Sequence, residues 1–261
     1  MLRLRIILTF LLGVVPGGAI TRADDIAPKD RRSGFDMMSA ETQAMQKNDL
    51  ANPAMLWVRE GEALWSTPPE GGGQACSGCH GEARISMKGV AARYPVFDAS
   101  AGTAIDLAGK IQQCQVERQK ASPWPRESKP LLSMSSYVGL QSRGTSIVPA
   151  HYKGTTEAAS RGKALFNRRV GQLNLSCANC HDDNWGQKLG SAVIPQGHPT
   201  GYPIYRLEWQ GMGSLQRRMR NCMTGVRAEP YAYGAPEWIE LELYLMQRAA
   251  GLTLETPAVR P

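Results

Sequence analysis

The strongest constraint on this chain is a pentapeptide that occurs twice. CSGCH runs from Cys76 to His80 and CANCH from Cys177 to His181, and their surroundings repeat with them. Gly61, Leu64, Trp65, Cys76 and His80 match Gly162, Leu165, Phe166, Cys177 and His181, each at the same offset. A second correspondence follows at a slightly longer offset. LAGKIQQC, ending at Cys114, matches LQRRMRNC, ending at Cys222, so that Leu107 pairs with Leu215, Lys110 with Arg218 and Ile111 with Met219. A period this long marks duplicated domains rather than a solenoid. The 261 residues suit two such domains of roughly 100 residues each.

The pattern Cys-x-x-Cys-His is the attachment site of a c-type haem. Its two thiols add to the haem vinyl groups, and the adjacent histidine reaches the iron. A pair of disulfides or zinc sites would use the cysteines but leave the two following histidines unexplained. The expected cofactors are therefore two covalently bound haems c, one on Cys76 and Cys79, the other on Cys177 and Cys180, with His80 and His181 on the irons. A bound haem supplies apolar core that so short a domain otherwise lacks.

The N-terminus reads as an export signal. Arg3 and Arg5 precede a short apolar run, Ile6 to Val15, and Ala23 ends a plausible cleavage site. That run falls well short of the roughly 20 residues that span a bilayer, and no later segment is longer. The chain is thus expected in the periplasm, without a membrane span. The formal charge is +7, from 30 Lys+Arg against 23 Asp+Glu. Loss of Arg3, Arg5 and Arg22 with the signal leaves a balance of +4. The cations are scattered among carboxylates, which excludes a nucleic-acid footprint.

The expected fold is mainly α. Two tandem cytochrome c-like domains, at 51–150 and 151–261, follow a signal at 1–23 and an extension at 24–50 that wraps the second domain or a partner. Helices are expected at Met55 to Leu64, Leu107 to Cys114, Lys129 to Leu140, Thr156 to Phe166, Leu215 to Cys222 and Glu237 to Ala250. Ser122 to Pro130 and Gly186 to Pro203 read as Pro/Gly-rich loops, and His151 to Gly154 as the linker between domains.

Cys114 and Cys222 remain after haem attachment. A disulfide between them, two buried apolar residues, or a thiolate ligand to each iron are the three readings. The repeat favours the last, because a unit duplicated with its own cysteine most simply uses it within the unit. Met87 and Met134 in the first half, and His198, Met212, Met219 and Met223 in the second, are competing distal ligands without partners in the other half. Lys110 and Arg218 sit one helical turn before the cysteines, where a cation favours the thiolate and holds an anion. Four arginines between Arg217 and Arg227 single out the second half as the site for an anionic sulfur substrate, with Arg218 on its oxygens and Arg227 as a helper.

Two CxxCH motifs, a cysteine for each, the export signal and the stretch NCMTGVRAEPY together resemble the SoxA family of dihaem cytochromes over nearly the whole mature chain. The resemblance implies His/Cys ligation at both haems: His80 with Cys114, and His181 with Cys222. It implies a catalytic Cys222, carried as a persulfide in the family, with Arg218 beside it in the substrate channel. It implies L-cysteine S-thiosulfotransferase activity, in which thiosulfate is joined oxidatively to a cysteine of a SoxYZ-like carrier protein. It further implies a heterodimer with a SoxX-like monohaem cytochrome c. The alternative function is a periplasmic dihaem electron carrier without sulfur transfer. A dihaem peroxidase needs an open distal position, and a cofactor-free binding module leaves both histidines idle.

Overall fold

A computed structural model describes residues 26–149 and 153–261. The export signal at 1–23 and the first two residues of the linker lie outside them. Helix α1 (Ala40–Lys47) follows two short 3-10 turns. The first half then runs α2 (Met55–Ser66), α3 (Cys76–His80), α4 (Ala83–Ser86), β1 (Val96–Asp98), β2 (Thr103–Ile105), α5 (Leu107–Glu117) and α6 (Lys129–Leu140). The second half repeats the plan. It runs α7 (Lys153–Asn167), α8 (Cys177–His181), β3 (Lys188–Leu189), β4 (Ala192–Val193), β5 (Ile204–Arg206), β6 (Gly211–Gly213), α9 (Leu215–Gly225) and α10 (Pro236–Arg248), and ends on β7 (Ala258–Arg260).

The structure is mainly helical, and each expected helix is present. α5, α7 and α9 extend beyond the sequence expectation. α7 begins at Lys153, inside the expected linker, and α6 begins inside the first expected loop. The second loop holds the small β3–β4 hairpin.

The two halves are built on the same helix crossing. In the first, α2 lies against α6 at Gly61, where an added Cβ would stand 2.1 Å from the Ser133 carbonyl oxygen and 2.7 Å from the Tyr137 Cβ. In the second, α7 lies against α10 at Gly162, where a Cβ would stand 2.0 Å from the Glu240 oxygen and 2.9 Å from the Tyr244 Cβ. Only glycine permits this approach. One turn further on, the aromatic residue of each N-terminal helix meets the tyrosine edge-on: Trp65 with Tyr137 at 6.0 Å, and Phe166 with Tyr244 at 5.4 Å. Edge-to-face pairs at this separation are favourable beyond their buried area.

The second correspondence reaches further than the cysteine helices. Antiparallel β1–β2 and β5–β6 occupy equivalent positions, and each hairpin delivers the chain into the cap of the next helix. Asp106 caps α5 by accepting from the Gly109 N–H, and Ser214 caps α9 by accepting from the Arg217 N–H. Such caps fix where a helix starts, and so fix the rotational position of the cysteine two turns later.

Apolar contacts join the halves. Ala104 of β2 packs among Ala158 and Ala159 of α7 and Ile239 and Leu243 of α10. Ile147 packs with Met246, Ala249 and Leu254. β7 pairs in parallel with β5, and Val259 joins Ala54, Leu132, Tyr205 and Met212 in one cluster. Each such side chain, fully buried, stabilises the fold by up to about 1.5–3 kcal/mol.

The N-terminal stretch lies along the second half. The Arg32 N–H donates to the Gln196 side chain at 2.6 Å, the Gln196 amide donates to the Asp30 carbonyl at 3.1 Å, and Ser33 and Thr200 share a hydroxyl bond at 3.1 Å. The Val259 N–H donates to Gln46 at 3.0 Å, and Asn52 donates to the Pro257 carbonyl at 3.0 Å. No helix among the described residues is long and apolar enough to cross a membrane.

Candidate functional site

All six cysteines are free thiols, so Cys114 and Cys222 are not bridged. Each faces the CxxCH helix of its own half instead. On α5, Leu107 and Ile111 pack against Trp65, Met134 and Val138, in the cluster that also holds Cys76. This places Cys114, the next residue on that face, close enough for its charge to act on the Cys76 thiol, which burial already pushes up. On α9, Leu215 and Met219 pack against Phe166, Trp238 and Tyr244, with Cys177 and Ala178 alongside. Cys222 therefore meets α8, within hydrogen-bonding reach of the His181 ring.

Burial pushes the Cys222 thiol up. The bond with His181 and the charges of Arg218, His181 and Arg206 outweigh that, and the net shift is downward. The two thiols of the CxxCH motif move the other way: burial pushes Cys177 up to about 12 and also raises Cys180. A redox-active Cys-x-x-Cys has a depressed thiol instead.

The His181 ring is oriented from behind. Its Nδ1 lies 2.7 Å from the Pro195 carbonyl oxygen, so Nδ1 donates and Nε2 keeps its lone pair. This is the arrangement that metal-ligating imidazoles use. Gly197, at φ +76, lets that loop press on the ring, since a Cβ there would stand 3.2 Å from His181 Cγ. In the first half, Trp65 lies 5.8 Å from the His80 ring and donates to the Gly81 carbonyl at 3.0 Å. An imidazole and a sulfur facing one another beside a Cys-x-x-Cys fit a c-type haem. Cys177, Cys180, His181 and Cys222 form such a set, and Cys76, Cys79, His80 and Cys114 are the matching residues of the first half, where Cys114 lies near Cys76.

The competing distal ligands are otherwise engaged. Met134, 1% exposed, and Met219 are core residues, while Met87 and Met223 pack on the same two clusters. Met212 lies in the cluster with Tyr205 and Val259. His198 bonds through Nδ1 to the Arg32 carbonyl oxygen at 2.8 Å.

The arginine cluster separates into distinct tasks. Arg217 stacks 4.4 Å over Trp209 and donates to the Met212 carbonyl. Arg220 stacks 4.6 Å over Tyr233 and donates to the Tyr231 carbonyl. Arg227, exposed and at φ 59, ends α9 and lines an open cleft of about 490 Å³ with Arg168, Met223 and Tyr231. Within this cluster, Arg218 is the one whose charge acts on the Cys222 sulfur. Its side chain is half-buried and makes no hydrogen bond or ion pair with a described residue. Lys110, its counterpart, donates to Gln113 at 2.7 Å.

Three further residues at these sites escaped the sequence reading. Tyr94 and Tyr202 stand at matching places in the two halves, each followed by a proline, and each lies near the cysteine of its half. Burial raises both phenols, Tyr202 to about 12, with Cys114 and Cys222 adding to the shift. Arg206 of β5, from a different element than α9's own cations, also acts on Cys222. The recurring Tyr-Pro dipeptide at 94–95 and 202–203 was the available signal.

The comparisons with known proteins agree with this geometry. The model of the SoxA/TsdA cytochrome c domain matches residues 60–147 and again 161–254. The L-cysteine S-thiosulfotransferase subunit SoxA of Pseudaminobacter salicylatoxidans is 38% identical over 229 residues, 87% of this chain and 80% of that protein. The subunit of the same name from Rhodovulum sulfidophilum is 33% identical over 94% of this chain and 84% of its own length. A chain of the crystal structure of SoxXA from P. pantotrophus superposes with a TM-score of 0.85 at 32% identity, covering 88% of this chain and 87% of that one. A duplicated cytochrome c plan with a cysteine opposite each CxxCH helix, matched along most of its length by these relatives, places this chain in the SoxA family.

Proposed function

We propose that the chain is the catalytic subunit of a periplasmic L-cysteine S-thiosulfotransferase, joining thiosulfate to a cysteine of a SoxYZ-like carrier protein. In this reading residues 51–150 and 151–261 each carry one haem c, held by Cys76 and Cys79 in the first and by Cys177 and Cys180 in the second. His80 with Cys114, and His181 with Cys222, would hold the two irons. A SoxX-like monohaem cytochrome c is the partner subunit. The observation that carries the reading is the unpaired, half-buried Arg218 one helical turn before Cys222. An electron carrier has no need of a free cation beside its sulfur.

The chemistry removes two electrons. The Cys222 thiolate and the sulfane sulfur of thiosulfate form a sulfur–sulfur bond, giving Cys222–S–S–SO3⁻ and releasing two electrons. Haem c, which accepts one electron at a time, supplies the oxidant for this coupling when bound. The carrier thiolate then attacks the sulfane sulfur, takes up the S–SO3⁻ group and frees the Cys222 thiolate, an exchange in which no further electrons move. Arg218 holds the sulfonate oxygens. Arg227, at the outer cleft, guides the anion inward. Burial pushes Cys222 up, while His181, Arg218 and Arg206 together pull it down by more and so favour the thiolate, the nucleophilic form.

The test is Cys222→Ala in the haem-loaded complex. Thiosulfate conjugation to the carrier is abolished while both haems remain attached by mass. Full activity in that variant overturns the assignment.

A further inference from the structure

The duplication provides an internal control for the Cys222 site. Each residue around Cys222 has a counterpart in the first half: Tyr202 and Tyr94, Arg218 and Lys110, Cys222 and Cys114. At one position the charge is reversed. The last residue of β5 is Arg206, and the last residue of β1 is Asp98. Both stand at the same register of matching hairpins, Arg206 opposite Gly211 and Asp98 opposite Thr103. Asp98 accepts from the Ser100 N–H at 2.9 Å and lies in the field of Lys110, so at this place the first half sets a negative group against a cation. The second half sets two guanidiniums together. Arg206 and Arg218 repel one another, and both act on the Cys222 sulfur.

Like charges brought together in a half-buried place are costly unless an anion is meant to join them. Arg206 is held in position by its Nε, which donates to the Pro261 main-chain oxygen at 2.7 Å, and by stacking 5.0 Å from the Trp209 ring. Its Nη2 meets Glu208 at 2.7 Å, a carboxylate whose side chain is 62% exposed. The Arg206 side chain is 12% exposed, but the carboxylate end is open to water, which screens the pair. The field of Glu208 also reaches Arg218. Glu208 thus occupies the outer side of the pair, where an incoming anion competes with it.

We propose that Arg206 is a second substrate-binding cation, which together with Arg218 makes the Cys222 side, and not the Cys114 side, selective for a divalent sulfur oxoanion. Two guanidiniums match the two negative charges of thiosulfate, whereas Asp98 and Lys110 cancel. This inference rests on the thiosulfate reading above and adds to it the residue that decides which half binds.

The haem-loaded complex is assayed for conjugation to the carrier over a range of thiosulfate concentrations. Arg206→Gln raises KM about tenfold, the loss of one charge-assisted contact, and lowers kcat by much less, because Arg206 is the last of the contributions that favour the Cys222 thiolate and most of what is lost is uniform binding. Arg206→Lys falls between. Glu208→Gln lowers KM, because the competing carboxylate is gone. The two variants separate binding from a merely structural ion pair, whose loss moves KM the same way from either side. An unchanged KM in Arg206→Gln, or a rise of KM in both variants, overturns the proposal. If Arg206→Gln fails to retain haem, Arg206→Lys and Glu208→Gln carry the same test. Wild-type protein that does not conjugate thiosulfate at all rejects the proposed function instead.

Discussion

The side-chain amide of Gln216 donates to the carboxylate of Asp106 across 3.0 Å. Asp106 is the residue that caps α5, and Gln216 is the second residue of α9. The two helices that carry Cys114 and Cys222 are therefore tied at their N-terminal ends, one from each half. Arg126 closes the knot, donating to both Asp106 oxygens at 2.5 and 2.9 Å, with side chains only 16% and 6% exposed.

Removal of Asp106 should thus be felt in both halves. Asp106→Ala leaves Arg126 as a buried cation without its partner, at a cost of about 3–5 kcal/mol, and also strips the cap from α5. Gln216→Leu removes one neutral donor to a charged acceptor, at about 1–3 kcal/mol. Urea unfolding followed by circular dichroism should rank the two in that order. A loss below about 1 kcal/mol for Asp106→Ala, the level of an ordinary surface pair, means that the knot carries no stability.

Glu242 of α10 faces the same knot, lining a cavity of about 80 Å³ with Asp106, Arg126 and Gln216. Burial pushes its carboxyl up to about 8, with the Asp106 charge adding and Arg126 opposing. A folded-state value above the unfolded one gives stability that is fully present below about 4.5 and is lost as pH rises toward 8. Glu242→Gln mimics the protonated acid. Its advantage over the natural chain should be negligible at pH 4 and should grow by up to about 1.4 kcal/mol per pH unit toward pH 8. Urea midpoints at four pH values measure it, and a constant difference between the two proteins contradicts the assignment.

The sequence disclosed the parts of this design that are local. Attachment motifs, cysteine helices and the aromatic residue ahead of each motif stand at fixed spacings along one helical face. The hairpins β1–β2 and β5–β6 were not legible, because three-residue strands are too short for a period of two to emerge. The pairing of β7 with β5 joins residues far apart along the chain, and nothing local encodes it. The arginine cluster was overread for a related reason. Arg217 and Arg220 lie at other angles on α9 and find Trp209 and Tyr233 there, whereas Arg218 shares the face of Cys222. Arg206 comes from a different element, and only the fold brings it in.

Substituting either crossing glycine should be severe, and unequally so for function. Gly162→Ala places a methyl 2.0 Å from the Glu240 oxygen, and Gly61→Ala places one 2.1 Å from the Ser133 oxygen. The obstacle is backbone in both cases, so the helices must part, at about 1–3 kcal/mol or more. Gly162→Ala displaces α7 from α10 beneath Phe166 and the Cys222 helix. Gly61→Ala strains the Trp65 side. Thiosulfate conjugation should fall further in Gly162→Ala than in Gly61→Ala at equal haem content. An equal fall places the chemistry in both halves.

Acid should loosen the N-terminal stretch before it unfolds the rest. His198 is buried, its Nδ1 bonded to the Arg32 carbonyl oxygen and its Nε2 without a partner among the described residues. Burial pushes it down to about 4, the bond to Arg32 opposes, and the charges of Arg248 and Arg31 add to the fall. The neutral ring therefore contributes stability that is complete above about 6.5 and is lost as pH falls toward 4. The loss reaches about 2–3 kcal/mol near pH 4.5, at about 1.4 kcal/mol for each pH unit below 6.5. The same bond fastens Arg32 to the loop whose Pro195 carbonyl orients the His181 ring, so the first segment released is the one that braces the second site from outside. Limited proteolysis at pH 7 and pH 4.5 should show cleavage near residues 31–33 appearing only in acid, ahead of any loss of helical signal. His198→Gln, which cannot take up a proton, should abolish the difference between the two pH values. Cleavage that stays equally pH-dependent in that variant assigns the acid lability to another group.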